Sequence, residues 1–466
     1  MSTENNSLIY NMSDRDIINM IKEYLPIRQK EKKELGEAFT PKELIDEMLD
    51  KLPEEVWRDP NLKWLDPANG IGNFPMVVYS RLMESLKNIR GLKNKQKRHD
   101  HIIRNMLYMV ELNPRNVEIS KRIFGEEANI YCGDFLKEKW NGEFEVDKFD
   151  IVLGNPPFQE VDSITGKSKG GGNNLYTKFI YKIDQYIVKN GYLLFINPPS
   201  YFSPGRSNNK DGMNLRKDIF DKYYYHYINL EECSKYFNVG SKFIYYLIQK
   251  NNYKNDNLEI VCKYNKNIYK TILNQKLLIR DYIPYLLTKQ SLKILDKVKY
   301  TEPKLKIFNS TVFDKRRDYV LKKNTKETEE NYKKRAIKEG YIFPIQATGN
   351  QIVYSSKKCK NQNDKKVLMS ESGYLKPFYD DGILGVGGHC FACLVNNEEE
   401  GNILVKILNS KLYKFYIETN KWSGFHNIVV LQDLPNIIND FEINDQNIYK
   451  YFNISNEEIK LIEELY

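Results

Sequence analysis

The chain has 466 residues, 41% of them hydrophobic, with 71 Lys and Arg against 62 Asp and Glu for a formal charge of +9. That length and apolar content exclude a disordered polypeptide and leave room for two or three domains with cores of their own. The modest basic excess suits a polyanionic partner; with no apolar run near ~20 residues and no early signal-like segment, a soluble, cytoplasmic protein without a membrane partner is expected.

Residues 1–35 carry many charges on helical spacing, as from Ile17 to Leu25, and predict an N-terminal helical segment. From Trp64 to about Gln249, short apolar runs alternate with amphipathic helical patterns. The runs are Lys63 to Asp66, Leu107 to Glu111, Asn129 to Cys132, Phe149 to Gly154, Tyr192 to Ile196 and Phe243 to Ile248. This rhythm predicts an α/β domain over 36–250, its mostly parallel sheet covered by helices on both faces. The polar stretch Lys250 to Asn257 predicts a linker. Beyond it, 258–466 predicts a second domain of different architecture, with a charged helical segment from Leu321 to Lys338 and then Gly-rich and aromatic-rich runs. The six cysteines have no regular spacing, which argues against a disulfide framework. Cys390-Phe391-Ala392-Cys393 has the C-x-x-C form but no companion pair, so it predicts two ordinary thiols and no metal.

Chemistry concentrates at the ends of the predicted strands, where open α/β sheets keep their sites. The first ends in Asp66-Pro67-Ala68-Asn69-Gly70-Ile71-Gly72-Asn73-Phe74, whose glycines let backbone pass close to a ligand. The third glycine of the dinucleotide fingerprint is missing, which disfavours a nicotinamide cofactor. The next two strands end in Glu111 and Asp134. Three strand ends offering carboxylates describe a nucleoside site with no phosphate to bind, since phosphates call for helix N-termini and Lys or Arg. A nucleoside carrying an amino acid fits, which points to S-adenosylmethionine. The fourth run closes on Asn155-Pro156-Pro157-Phe158. Two prolines end the ladder abruptly and hold a polar amide and an aromatic face at the loop-exposed edge. A second Asn-Pro-Pro, Asn197-Pro198-Pro199, is followed by Ser200 and reads as a strand-ending turn. Gly166-Lys167-Ser168 is not a phosphate loop, because Val161 stands where the upstream glycine would be. The loop from Thr165 to Asn174 predicts a mobile Gly/Lys segment, which either orders on the phosphates of a polyanion or is an unrelated loop.

The order and spacing of these segments over roughly residues 30–250 resemble the gamma-class DNA adenine-N6 methyltransferases. The resemblance implies a Rossmann-like S-adenosylmethionine-dependent methyltransferase sheet followed by a C-terminal α+β target-recognition domain. Gly36-Glu37-Ala38-Phe39-Thr40-Pro41 is similar to the family's upstream cofactor motif, which implies Phe39 at the cofactor and Thr40 at its methionine carboxylate. The segment from Asp66 to Phe74 is similar to its glycine loop, which implies cofactor contacts from Asp66, Ala68, Gly70, Gly72 and Phe74. By the same resemblance Glu111 binds the ribose, Asp134-Phe135 the adenine, and Asn155, Pro156, Pro157 and Phe158 form the catalytic motif at the target base, with Asn155 also bordering the cofactor. Tyr236 to Ser241 resembles the motif whose aromatic packs on the flipped base, which implies Phe237 beside Phe158. Two departures are Ala38, where the family often has a larger side chain, and Asn69, where it often has Cys.

The implied chemistry is positioning. An exocyclic amino group is a poor nucleophile because its lone pair is delocalised into the ring. The Asn155 side-chain carbonyl and the Pro156 backbone carbonyl would bind both amino hydrogens and stabilise the charge developing on nitrogen. The base must leave the duplex to reach them. Gly385 to His389 and Lys421 to His426 combine flexible backbone with planar or basic side chains in the region expected to read double-stranded DNA. The alternatives are a methyltransferase acting on RNA or a protein glutamine, or the methylase part of a restriction-modification enzyme; a separate cognate restriction endonuclease is a further expected partner.

Overall fold

A computed structural model describes residues 7–13, 15–20, 40–137, 144–158, 175–199, 201–203, 215–219, 222–231, 233, 236, 242–251, 257–310, 313, 317–347, 351–373, 376–422, 425–438 and 441–465. Within them, contacts divide the chain into two compact units: Met1–Tyr201, Arg206–Lys263 and Ile268–Arg280 in one, Phe202–Gly205, Tyr264–Asn267 and Asp281–Tyr466 in the other.

The first unit is built on one mixed sheet. Its strands are β1 (Trp64–Asp66), β2 (Leu107–Glu111), β3 (Asn129–Cys132), β4 (Phe149–Gly154), β5 (Ile187–Asn197), β6 (Tyr224–Asn229), β7 (Ile244–Gln249), β8 (Leu258–Tyr264) and β9 (Asn267–Leu273), in the order β3-β2-β1-β4-β5-β7-β6-β8-β9. The stretch from β3 to β5 is parallel, and β7 lies antiparallel between β5 and β6. The chain winds outward from β1 through β2 to β3, then restarts at β4 on the other side of β1. That reversal puts the carboxyl ends of β1 and β4 at a topological switch point, where such sheets offer a crevice to ligands.

Helices cover both faces. Helix Lys42–Leu49 buries Leu44, Ile45, Met48 and Leu49, and helix Asn73–Ser85 buries Met76, Val77, Val78 and Leu82. They share a core with Trp64, Leu107, Met109, Ile151, Leu153, Leu194 and Ile196, every second residue of the central strands. Val152, Leu193 and Phe195 are buried on the opposite face, outside that cluster, as are Phe179, Ile180 and Ile183 of helix Leu175–Tyr186. Burial on both faces is why these strands read as near-continuous apolar runs.

Several expectations are redrawn. β8 pairs in parallel with β6, so residues 258–273 belong to the first sheet and the second unit's long segment begins at Asp281, not at 258. Most of the expected linker, residues 252–256, lies outside the described residues, as does most of the N-terminal segment; its described part has a short 3-10 turn, Leu8–Asn11, and helical residues 15–20. β5 begins at Ile187 instead of Tyr192. Asn190 and Gly191 form an irregularity within it, because Phe149 pairs with Ile187 while Ile151 pairs with Tyr192. Asn190 has φ of 68°, and a Cβ on Gly191 would stand 2.9 Å from the Asp150 carbonyl oxygen. The sheet is mixed at its β7 side, and β6, β8 and β9 have no counterpart among the apolar runs.

The second unit is α+β. One small sheet joins Ile307–Asn309, Cys390–Leu394, Lys365–Ser370 and Phe378–Asp381, and another joins Val320–Leu321, Ile352–Ser355, Phe343–Gln346 and Gly385–Val386. The expected charged helix over 321–338 is confined to Glu329–Lys338, because the Thr328 hydroxyl caps it by accepting from the Asn331 N–H at 3.2 Å. Cys390 and Cys393 are buried thiols on a strand, pushed by burial up to about 12 and about 11. Among the described residues there is no group of three or more His, Cys, Asp or Glu placed to hold a metal, and no helix long and apolar enough to cross a membrane.

Candidate active site

The crevice is lined by the residues at the ends of β1, β2 and β4. Asp66, 3% exposed, turns its carboxylate back onto the loop that follows, where Oδ1 accepts from the Ala68 N–H at 3.1 Å. Burial pushes this carboxyl up to about 8, against the pull of the Ala68 N–H and with a further push from the negative Glu111. The loop then passes through two left-handed residues, Gly70 at φ 59° and Gly72 at φ 97°, the second being the N-cap of helix Asn73–Ser85. A Cβ on Gly72 would stand 2.5 Å from the Phe124 ring, so glycine is needed there for conformation and for space.

Glu111, at the end of β2, is tied to that loop. Its Oε2 accepts from the Gly70 N–H at 2.8 Å, and its Oε1 from the Asn113 N–H at 2.8 Å and from Asn116 Nδ2 at 3.1 Å. These donors fix the carboxylate at the strand end. Leu112, directly after it, is 67% exposed, an apolar surface beside a polar crevice that composition alone does not single out. Asp134 caps the turn after β3 by accepting from the Leu136 N–H at 2.9 Å.

Asn155 follows β4 and reaches across to the start of helix Lys42–Leu49, where its Nδ2 donates to the Thr40 hydroxyl oxygen at 3.0 Å. Thr40 is 3% exposed, and its backbone carbonyl accepts from Asn73 Nδ2 at 3.2 Å. Thr40 therefore joins the glycine loop to the Asn-Pro-Pro-Phe motif. The preceding Gly154 has φ of 148°, and a Cβ there would lie 2.9 Å from Asp66 Oδ1.

Two of the expected aromatic contacts, Phe135 and Phe74, are turned into the protein, whereas Phe158 keeps part of its ring exposed. Phe135 is 2% exposed and stacks on Phe179 at 5.4 Å and 14°, with Lys182 above it at 5.9 Å, so it supports the crevice wall from the core. Phe74 is 3% exposed in the first turn of its helix. Phe158 is half-buried and stacks on Phe243 at 4.8 Å and 29°. Pro156 is buried and Pro157 half-buried beside it. Phe39, Phe237 and the 165–174 loop lie outside the described residues. The second Asn-Pro-Pro is a buried strand end: Asn197 Oδ1 accepts from the Tyr246 hydroxyl at 2.7 Å.

Asn69 and Asn73 are contributions that the motif reading did not assign. Asn69 is 5% exposed and donates from Nδ2 to Ser120 Oγ at 2.9 Å, while Asn73 donates to Thr40. Each leaves a buried carbonyl oxygen with no hydrogen-bond partner. Along this one segment, two buried carbonyl oxygens and the Asp66 carboxyl are groups that call for donors.

Residues 87–237 match the family model described as Eco57I restriction-modification methylase. The chain is 25% identical to an uncharacterized adenine-specific methylase of Mycoplasma pneumoniae over 306 aligned positions, covering 49% of this chain and 70% of that one. Its fold is similar to that of the type ISP restriction-modification enzyme LlaBIII, with a TM-score of 0.51 at 12% identity over 78% of this chain and 34% of the other. It is similar as well to the type IIL restriction-modification enzyme MmeI, with a TM-score of 0.50 at 12% identity over 92% of this chain and 67% of that one. The chain thus spans about a third of the one enzyme and about two thirds of the other.

Proposed function

We propose that this chain, whose residues 87–237 match a restriction-modification methylase family model, transfers a methyl group from S-adenosylmethionine to the N6 amino group of an adenine flipped out of double-stranded DNA. The observation that carries this reading is the Asn155 amide, held at the reversal point of the sheet by Thr40 and one residue from the wall of the Asp66 loop. The Mycoplasma relative, described as adenine-specific, supports the choice of base.

S-adenosylmethionine supplies an electrophilic methyl group on a sulfonium. Asp66 and the buried carbonyl oxygens of Asn69 and Asn73 suit its ammonium group, and Glu111 suits the ribose hydroxyls. Leu112 offers its exposed side chain to the adenine ring beside that carboxylate. Asn155 Oδ1 and the Pro156 carbonyl accept the two amino hydrogens of the target base, which favours a pyramidal nitrogen and stabilises its developing positive charge. Phe158 stacks on the extruded base. The unit containing residues 281–466 reads the surrounding sequence, with half-buried His389 and exposed Phe425 among its planar groups.

The test is to incubate the protein with S-adenosylmethionine and unmethylated DNA, digest to nucleosides and quantify methylated bases by mass spectrometry. N6-methyladenine formed by the native protein and reduced at least ~10²-fold by Asn155→Ala is the expected result. Unmethylated DNA despite measurable cofactor binding would overturn the assignment and redirect it to RNA or protein substrates.

A further inference from the structure

We propose that Thr40 is a positioning residue for Asn155, its hydroxyl deciding which end of the amide faces the target amino group. This rests on the methyltransferase reading above. An asparagine amide is planar, with its donor and acceptor on opposite sides of one carbon. Turned one way it offers a carbonyl oxygen to an incoming amino group; turned the other it offers a second NH2, which has nothing to accept with. The backbone alone does not choose between the two. In the structure the Thr40 hydroxyl oxygen accepts the Asn155 Nδ2 hydrogen at 3.0 Å, which leaves Oδ1 on the side away from Thr40, and this orientation is favoured once the hydroxyl's own hydrogen is given to another acceptor.

Thr40 can impose this because it is itself fixed. It is 3% exposed, its carbonyl is held by Asn73 Nδ2 at 3.2 Å, and the helix that starts two residues later buries Leu44, Ile45, Met48 and Leu49. The backbone of Asn155 is fixed from the other side by Gly154, whose φ of 148° seats it against Asp66. A hydroxyl can accept and donate at once. Thr40 can therefore orient Asn155 and still give its own hydrogen to an acid group of the cofactor, so contact with the cofactor and orientation of the amide are separable roles.

The experiment compares Thr40→Val and Thr40→Ser in the full chain, measuring cofactor Kd by calorimetry and kcat at saturating cofactor and DNA. Thr40→Val keeps the shape and deletes the hydroxyl; misplacing one reacting group in this way is expected to lower kcat by about 10- to 10²-fold. Because kcat is read at saturating cofactor, any weakening of Kd from the lost donor is separate from this loss, and Thr40→Ser should restore kcat. In an Asn155→Asp background, where either carboxylate oxygen can accept, Thr40→Val should cost much less than in the native background. Should Thr40→Val fail to fold, as judged by its melting curve, Thr40→Ala gives the same comparison without the added methyl. An unchanged kcat with only cofactor Kd raised would overturn the inference and leave Thr40 as a cofactor contact. Equal losses from Val and Ser would overturn it too. Failure of the underlying reading looks different: the native protein itself would then make no N6-methyladenine.

Discussion

Asp66 is a carboxyl that the fold deprives of water before any ligand arrives. Burial raises it from its ordinary 3.8 to about 8. Between those values the folded chain binds a proton that the unfolded chain has released, so the group's contribution to stability is complete below about 4 and is lost as pH rises through about 8. The ligand-free protein should therefore lose melting temperature as pH rises across that window, and Asp66→Asn should flatten the decline. An identical pH profile in the variant would show that another group is responsible. A cation bound beside Asp66 favours its ionised form, so cofactor binding at neutral pH should release a proton, detectable by calorimetry in buffers of different ionisation enthalpy. The Asp66→Asn variant should lose that release. Asp66 was legible as a strand-end acid, whereas the neighbouring Asn69 and Asn73 were not. An amide in a loop reads as a turn former, and only burial with an unmatched oxygen marks it as a receptor.

Among elements, β1 and β4 do the positioning, and a missing side chain holds them together. Gly154 closes β4 at φ 148°, and a Cβ there would come within 2.9 Å of Asp66 Oδ1 at the end of β1. Gly154→Ala is expected to cost about 1–3 kcal/mol from backbone strain alone, and the carboxylate it displaces should weaken cofactor binding as well. Thermal melts with and without cofactor check both parts; a variant with native melting temperature and native affinity would show that the strand end yields freely. The sequence showed this strand plainly, because a strand covered on both faces must be apolar throughout. It did not show β6, where Tyr-Tyr-His-Tyr-Ile-Asn mixes aromatic and polar groups that the fold satisfies with partners, as when Asn229 Nδ2 donates to the Tyr227 hydroxyl at 3.1 Å. Nor did it reveal that Phe135 is buried against Phe179: an aromatic at a strand end looks the same whether it faces solvent or the core.

At the scale of the whole chain, the polar run before Asn257 looked like the end of the first domain, yet the sheet continues past it. β6 pairs on one side with β7 and on the other with β8, Tyr227 to Asn229 lying opposite Glu259 to Val261. Composition hides this, since β9 alternates exposed and partly buried residues in the manner of an edge strand and its Lys270 reads as a surface charge. The strands of the second unit were hidden for another reason, as segments of two to six residues are too short to carry a period. The two placements of the boundary make opposite predictions for truncation. A chain cut after Asn257 leaves the open ladder of β6, with buried Ile228 and Tyr227 beside it, exposed for association with other chains. A chain cut after Arg280 keeps β8 and β9 over that edge, together with the Gln275 side chain that accepts from the Tyr225 N–H at 2.9 Å and donates to the Tyr223 carbonyl at 2.6 Å. The longer truncation should elute as a monomer on size-exclusion chromatography with a cooperative melt, and the shorter one should aggregate. A soluble, cooperatively melting 1–257 chain would place the boundary back at the polar run and reduce β8 and β9 to a dispensable extension of the sheet.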